Sequence, residues 1–212
     1  MRICNVSESK LVSMLELYIN MENETFIRIY ENAIPHELCD KLIKKFDDNP
    51  DQWKKRDKRT DDSWSNDRGN LIFNELFCFN YMDTWKEEMQ AVADIFSHHT
   101  DKYIRQFEKY CFPPKYGIEP FKMKKYEPNG IDEFCWHVDV LAKNSMHRWL
   151  GFFLYLSDNE EGKTEFRYQN KIIDCKKGSM VIFPPMWPWL HRGTKPIKEP
   201  KYFMGSYLHY VE

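Results

Sequence analysis

The sequence predicts an α+β chain with a mainly β core, a β-sandwich or jelly roll braced by helices from the N-terminal half. Three observations carry that prediction. From Gly117 onward, short runs rich in β-branched and aromatic residues alternate with clusters of Gly, Pro, Asn and Asp, the texture of strands joined by tight turns. The runs are IEPFKMKKYE, EFCWHVDV, RWLGFFLYLS, KTEFRYQ, KIIDC, SMVIFPP, WLHRG and KYFMGSYLHYV, about eight strands in ~95 residues. Upstream, apolar residues recur at helical spacing instead. Finally, 212 residues of 42% hydrophobic and 16% aromatic composition are enough to close a core without staples.

Residues 1–24 read as a helical arm, with Leu11, Met14, Leu15 and Tyr18 at helical spacing. Residues 25–116 read as a support region. It opens with FIRIYENAI (Phe26 to Ile34), which alternates like a strand. PHELCDKLIKKF (Pro35 to Phe46) follows as a helix with Leu38, Leu42, Ile43 and Phe46 on one face. Pro35 suits its first turn, where backbone N–H groups have no intrahelical acceptor. Residues 49–70, NPDQWKKRDKRTDDSWSNDRGN, are polar and charged; they read as a solvated loop or as a mobile segment that grips a ligand. Met82 to Tyr110 reads as a long helix burying Trp85, Met89, Val92, Ile95 and Phe96. Its neighbours His98 and His99 point in different directions, which marks them as surface or packing residues. Residues 117–212 are the β-rich core, with 25–212 expected to fold as one domain.

The charge pattern removes several function classes. A formal net charge of −2 argues against nucleic acid or an anionic membrane surface as the partner. No run of ~20 apolar residues is present to cross a bilayer. MRICNVSESKLVSMLELYIN is broken by Ser, Glu and Lys, so it lacks the apolar centre of a secretory leader. A cytoplasmic protein, monomer or homodimer, is the expectation. Cys4, Cys39, Cys78, Cys111, Cys135 and Cys175 form no CxxC pair, and reduced, mostly buried thiols follow.

The chemistry gathers in EFCWHVDVLA. His137 and Asp139 stand at i and i+2, so in a strand both side chains reach the same face. An HxD alone is weak, and an ordinary hydrogen-bonded pair at a strand end would satisfy it. A third ligand is available in PWLHRGTKP, where His191 lies 54 positions on (191 minus 137). Two imidazoles and one carboxylate on one octahedral face leave positions for an organic co-substrate and dioxygen, which suits non-haem Fe(II). Catalytic zinc favours four-coordinate sites with a single open position. Lys201 follows His191 by ten positions and opens the last run; an inward ammonium there could pair with a carboxylate.

In combination these motifs resemble the Fe(II)- and 2-oxoglutarate-dependent dioxygenases, in particular the prolyl 4-hydroxylase-like branch. The matching stretches are FKMKKYEPNGIDEFCWHVD, RWLGFFLYLSDNEEGKTEF, KKGSMVIFPP, the distal His191 and Lys201. They span Phe121 to Tyr210, with a looser likeness over Phe26 to Phe46. The resemblance implies a double-stranded β-helix (cupin-like jelly roll) with procollagen-proline 4-dioxygenase-like activity. It implies Fe(II) on His137, Asp139 and His191, with 2-oxoglutarate and dioxygen as co-substrates and ascorbate as an optional reductant. Lys201 would take the 5-carboxylate of 2-oxoglutarate, with the Tyr126 hydroxyl beside it. Arg148, Arg192 and Trp187 are the substrate-side candidates. The expected substrate is a prolyl residue of a peptide or protein, with release of succinate and carbon dioxide; a small molecule or free amino acid is the alternative. Two departures stand out. Phe134 occupies a position often held by Tyr, and Glu161–Gly162 replaces a frequent Gly–Gly. A cupin-type dioxygenase that dispenses with 2-oxoglutarate would not need Lys201, and a binding module without chemistry would need neither the triad nor the lysine.

Overall fold

The computed structural model describes residues 24–58 and 69–211. The expected arm at 1–24, apart from Glu24, and residues 59–68 of the charged segment at 49–70 therefore lie outside the described residues. Among the described residues, twelve strands form one antiparallel sheet, and two α-helices cover part of its outer face.

The chain starts with β1 (Arg28–Tyr30), then α1 (His36–Asp48). Pro35 stands at the N-cap of α1, and Cys39, Leu42 and Phe46 form its buried stripe, as amphipathic spacing requires. Next come β2 (Lys54–Asp57) and β3 (Leu71–Phe77), and then α2 (Met82–Ile104). The helix α2 buries Trp85, Met89, Val92 and Phe96. Glu88, buried on α2, is clamped by Lys41 at 2.9 Å and Lys45 at 2.8 Å, which ties α1 to α2.

Nine strands follow: β4 (Tyr116–Ile118), β5 (Lys122–Tyr126), β6 (Glu133–His137), β7 (Arg148–Tyr155), β8 (Asn159–Phe166), β9 (Lys171–Cys175), β10 (Met180–Phe183), β11 (His191–Gly193) and β12 (Lys201–Tyr210). The sheet runs β1-β10-β7-β12-β5-β3-β6-β11-β8-β9, with β2 on β3 and β4 on β12. This is the mainly β jelly-roll core that the sequence predicts.

Period-2 alternation sorts the central strands into two faces. Met123, Leu154, Ile182 and Met204 point outward and pack with Leu42, Phe46, Trp85 and Phe96 of the helices. Their immediate neighbours Lys124, Phe153, Phe183 and Phe203 point inward and line a cavity. Removing the Phe46 side chain from the outer layer is expected to cost about 3–5 kcal/mol.

Three sequence expectations change. The charged segment is not wholly loop, because Lys54–Asp57 pairs with Ile72 to Glu75 as β2. Charged residues serve well on such an edge strand, since they discourage further pairing. IEPFKMKKYE is two strands, separated at Pro120, whose missing N–H cannot serve a ladder. The long helix ends at Ile104 rather than Tyr110, and Lys109–Cys111 forms a separate 3₁₀ turn. His99 is buried with its Nδ1 2.8 Å from the Ile95 carbonyl oxygen, whereas His98 is exposed. Cys39, Cys78, Cys135 and Cys175 are buried and Cys111 is exposed.

Candidate active site

The cavity between the two curled halves of the sheet has a volume of about 400 Å³. His137 closes β6 and His191 opens β11, and the two are direct cross-strand partners. This pairing removes the 54-residue separation in sequence. Asp139 lies just past the end of β6. Its backbone N–H donates to the Pro185 carbonyl at 2.9 Å, which keeps it on the side that strand alternation gives it.

Donor atoms from the three residues all lie within 4.8 Å of one another. Nε2 of His137 is 3.4 Å from Asp139 Oδ1, and Nε2 of His191 is 3.6 Å from Asp139 Oδ2. Each imidazole is oriented from behind. Nδ1 of His137 is 2.8 Å from the Cys135 carbonyl oxygen, and Nδ1 of His191 is 3.0 Å from that of Trp189. Donation from Nδ1–H to these carbonyls leaves each Nε2 lone pair aimed at the centre. Phe134 stacks on His137 at 3.7 Å between ring centroids, and Phe166 stacks on His191 at 5.2 Å.

Electrostatics prepares the same groups as ligands. Burial, with the neighbouring His137, lowers His191 to about 4, so its imidazole is neutral at physiological pH. Burial alone would raise Asp139, but His191, His137 and the Tyr207 hydroxyl outweigh it and hold the carboxyl well below the usual range. Tyr207 donates to Asp139 Oδ1 at 2.6 Å. The ionised carboxylate and the neutral His191 imidazole, with His137 beside them, fit a divalent ion that keeps several positions for exchangeable ligands.

Lys201 lies deeper in the cavity. It faces Tyr126 across β12 and β5. Its side chain is 3% exposed, and its Nζ sits between the rings of Tyr126 and Tyr155, 5.7 and 5.4 Å from their centroids. Burial lowers its affinity for a proton. Among the described residues it makes no ion pair. On β8 the inward positions of GKTEF serve this cavity in turn. A Cβ at Gly162 would fall 2.9 Å from Lys201 Cδ, so the glycine retained in the Glu161–Gly162 pair is the one the lysine requires. Thr164 Oγ1 accepts from the Tyr155 hydroxyl at 2.6 Å.

The remaining sequence candidates are placed as follows. Arg148 lines the cavity, but Glu119 holds it at 2.6 and 2.8 Å and it donates to the Asp139 carbonyl at 3.1 Å. Arg192 pairs with Glu165 at 2.7 Å and lies over the Trp136 ring, off the cavity wall. Trp187 is 75% exposed and also lies off that wall, while the Trp189 indole donates to the Thr25 carbonyl. Two cavity residues escaped the sequence reading. Tyr207 and Lys124 share the inward faces of β12 and β5 with Lys201 and Tyr126, and alternation from those two residues would have found them.

A single-face His–Asp–His centre inside a double-stranded β-helix defines a class, the non-haem oxygenases that hold a metal by one face. Residues 121–209 match the family model of the 2OG-Fe(II) oxygenase superfamily. No curated protein matches the sequence. Among solved structures, a collagen prolyl hydroxylase of Paramecium Bursaria Chlorella virus-1 is 18% identical with a TM-score of 0.63, covering 88% of this chain and 97% of that one. A Trichoplax adhaerens prolyl hydroxylase, solved with a hypoxia inducible factor peptide fragment, is 14% identical with a TM-score of 0.64, covering 97% and 94%. A Pseudomonas putida prolyl-4-hydroxylase is 12% identical with a TM-score of 0.51, covering 93% and 98%. The matched segment is thus a 2OG-Fe(II) oxygenase superfamily domain, and the fold around it is that of the prolyl hydroxylase structures. That domain supports a 2-oxoglutarate-dependent dioxygenase with a prolyl hydroxylase-like fold, and the matched family implies Fe(II) and 2-oxoglutarate.

Proposed function

We propose that this dioxygenase hydroxylates a prolyl residue of a peptide or protein, with residues 25–212 acting as one catalytic unit around the 117–212 jelly roll. One observation carries the reading. Three metal-competent donors and a buried ammonium with no ion pair among the described residues face the same cavity. A buried charge of that kind is costly unless a ligand completes it.

His137, Asp139 and His191 would hold Fe(II). Lys201 would bind the distal carboxylate of 2-oxoglutarate, and Tyr126, whose ring packs beside the Lys201 ammonium, would add its hydroxyl. When bound, iron and 2-oxoglutarate supply the oxidising chemistry that uses dioxygen to hydroxylate a C–H bond, with succinate and carbon dioxide as by-products. The chain itself positions and shields. The carbonyls of Cys135 and Trp189 fix the imidazole tautomers. Tyr207 orients the carboxylate. Phe134, Phe153, Phe183 and Phe203 line the cavity and limit the water that reaches it. The fold shared with an enzyme crystallised on a peptide fragment supports a peptide substrate.

The test is an anaerobic titration with Fe(II) and 2-oxoglutarate, followed by the visible charge-transfer band, with Lys201→Ala alongside. Proline peptides are then screened for the mass gain of one oxygen atom. A band in the wild type, weakened in the variant, together with a hydroxylated proline, is the expected result. No band despite demonstrated metal binding would overturn the co-substrate assignment. A band with hydroxylation confined to free amino acids would overturn the peptide assignment.

A further inference from the structure

The cavity contains a second buried ammonium. Lys124 is 9% exposed and lies two residues before Tyr126 on the same inward face of β5, opposite Phe203 of β12. Its Nζ is 4.7, 4.5 and 5.5 Å from the ring centroids of Phe73, Phe134 and Phe203. Among the described residues it has no hydrogen bond and no ion pair. The two arginines of the wall, by contrast, are matched by carboxylates. Arg56 reaches Glu75 at 3.3 Å, and Arg148 is held by Glu119. Glu75, the cross-strand partner of Lys124 on β3, is the strongest acidic influence on it, but that carboxylate is hydrogen-bonded to Arg56 rather than to the lysine. Lys124 is close enough to the metal-competent groups to act electrostatically on both Asp139 and His191.

Three aromatic rings alone do not account for a lysine here. A cation over aromatic rings recovers only part of what burying an ammonium without a hydrogen-bonded anion costs. The proposed co-substrate does not answer it either. Asp139 and the two carboxylates of 2-oxoglutarate carry three negative charges, balanced by the three positive charges of a divalent ion and Lys201. One end of 2-oxoglutarate would be on Lys201 and the other on the metal. Two residues along a strand separate the Cα atoms of Lys124 and Tyr126 by about 7 Å, so Lys124 presents its charge at a different level of the cavity from Lys201.

We propose that Lys124 is a second anion-binding position and that it takes a carboxylate of the substrate to be oxidised, set beside the reacting carbon. This inference rests on the functional reading above and names its substrate class, an acidic one. The carboxylate has two sources: an acidic side chain flanking the target residue of a peptide, or the free α-carboxylate of an amino acid. Phe73, Phe134 and Phe203 would shield the resulting ion pair from water, which strengthens it. Half-buried Lys122, on the same face of β5, adds a charge of the same sign.

The test uses the full chain loaded with Mn(II) in place of iron and saturated with 2-oxoglutarate. Four probes are titrated by calorimetry: a proline peptide with Glu beside the proline, the same peptide with Gln, L-proline and L-prolinamide. In one of the two pairs the acid is expected to bind about tenfold or more tightly than its amide, and the pair that responds identifies the source. Lys124→Met should abolish that advantage and Lys124→Arg should keep most of it. Equal binding within both pairs, an advantage that survives Lys124→Met, or no binding by any probe would overturn the inference. Affinity for 2-oxoglutarate separates it from the functional reading. Lys124→Met should stay within about twofold of wild type while Lys201→Met falls by about tenfold or more. A comparable fall in Lys124→Met would assign this lysine to the co-substrate and overturn the inference. Unchanged affinity in Lys201→Met would instead count against the proposed function. Thermal unfolding of each variant confirms that it is folded.

Discussion

The two faces of strands β5, β7, β10 and β12 differ by a single step along the chain. Outward, Met123, Leu154, Ile182 and Met204 are buried against the helices and satisfied by apolar neighbours. Inward, Lys124, Tyr155 and Lys201 are buried as well and Tyr207 is half-buried, yet among the described residues the two lysines form no ion pair. Burial by itself therefore does not mark a core. What separates the faces is whether each buried group is complete without a ligand. The outer face stabilises the fold, and the inner face lowers stability in exchange for a site.

Substitutions at the centre of the inner face give the largest effect. His137→Ala or Asp139→Ala is expected to reduce 2-oxoglutarate turnover by at least ~10³-fold, measured as succinate formed, while the melting temperature moves only slightly. Succinate production equal to wild type in both variants would dismiss the ligand assignment. The outer face should respond in the opposite sense. Phe46→Ala, which removes a fully buried ring stacked on Trp53, should lose about 3–5 kcal/mol in denaturant unfolding with metal affinity per folded molecule unchanged. A variant that lost metal affinity but kept its stability would contradict the division between faces.

A smaller effect is expected at Tyr207. Tyr207→Phe keeps the ring and deletes the hydroxyl that donates to Asp139. Metal affinity or turnover should fall about 10- to 100-fold, as for other groups that orient a metal ligand. No change in either would mean that Arg148 and the Pro185 carbonyl position Asp139 unaided.

The smallest effect is on stability and has the reverse sign. Lys124→Met removes an unpaired buried charge, so in ligand-free protein its melting temperature at pH 7 should rise by a few degrees. Burial pushes the Lys124 ammonium down to about 8, below its unfolded value of about 10.4. The folded state thus gives up this proton first. Wild type carries the full penalty below pH 8 and sheds it as pH climbs toward 10.4. The advantage of Lys124→Met should shrink across that window. An advantage that stayed constant with pH would mean that side-chain packing, rather than charge, sets the difference.

The centre of this site was legible in the sequence because strand periodicity is local. His137 and Asp139 share a face by spacing alone, and the interval from His191 to Lys201 supports the same reading. Gly162, Thr164 and Phe166 were legible as a motif, but the structure shows what each contacts: Lys201, the Tyr155 hydroxyl and the His191 ring. The β2–β3 ladder was not legible. KKRD carries no apolar alternation, and LIFNELF is buried along nearly all its length, so neither shows a half-buried pattern. Arg148 and Arg192 looked equivalent as substrate-side candidates. Their partners, Glu119 and Glu165, lie 29 and 27 residues away, and only packing distinguishes them.

The sequence by itself determined the mainly β class, the helical stripes and the identity of the metal-competent donors, because each depends on residue type and on spacing within one element. The tertiary structure decided which strands become neighbours. Pairing of β6 with β11 brings two distant imidazoles into contact, and pairing of β5 with β12 puts Lys124 and Lys201 on the wall of one cavity. Hydrogen-bond register between strands is a non-local property, set by the closure of the whole sheet, and it turns a scattered set of polar residues into a site.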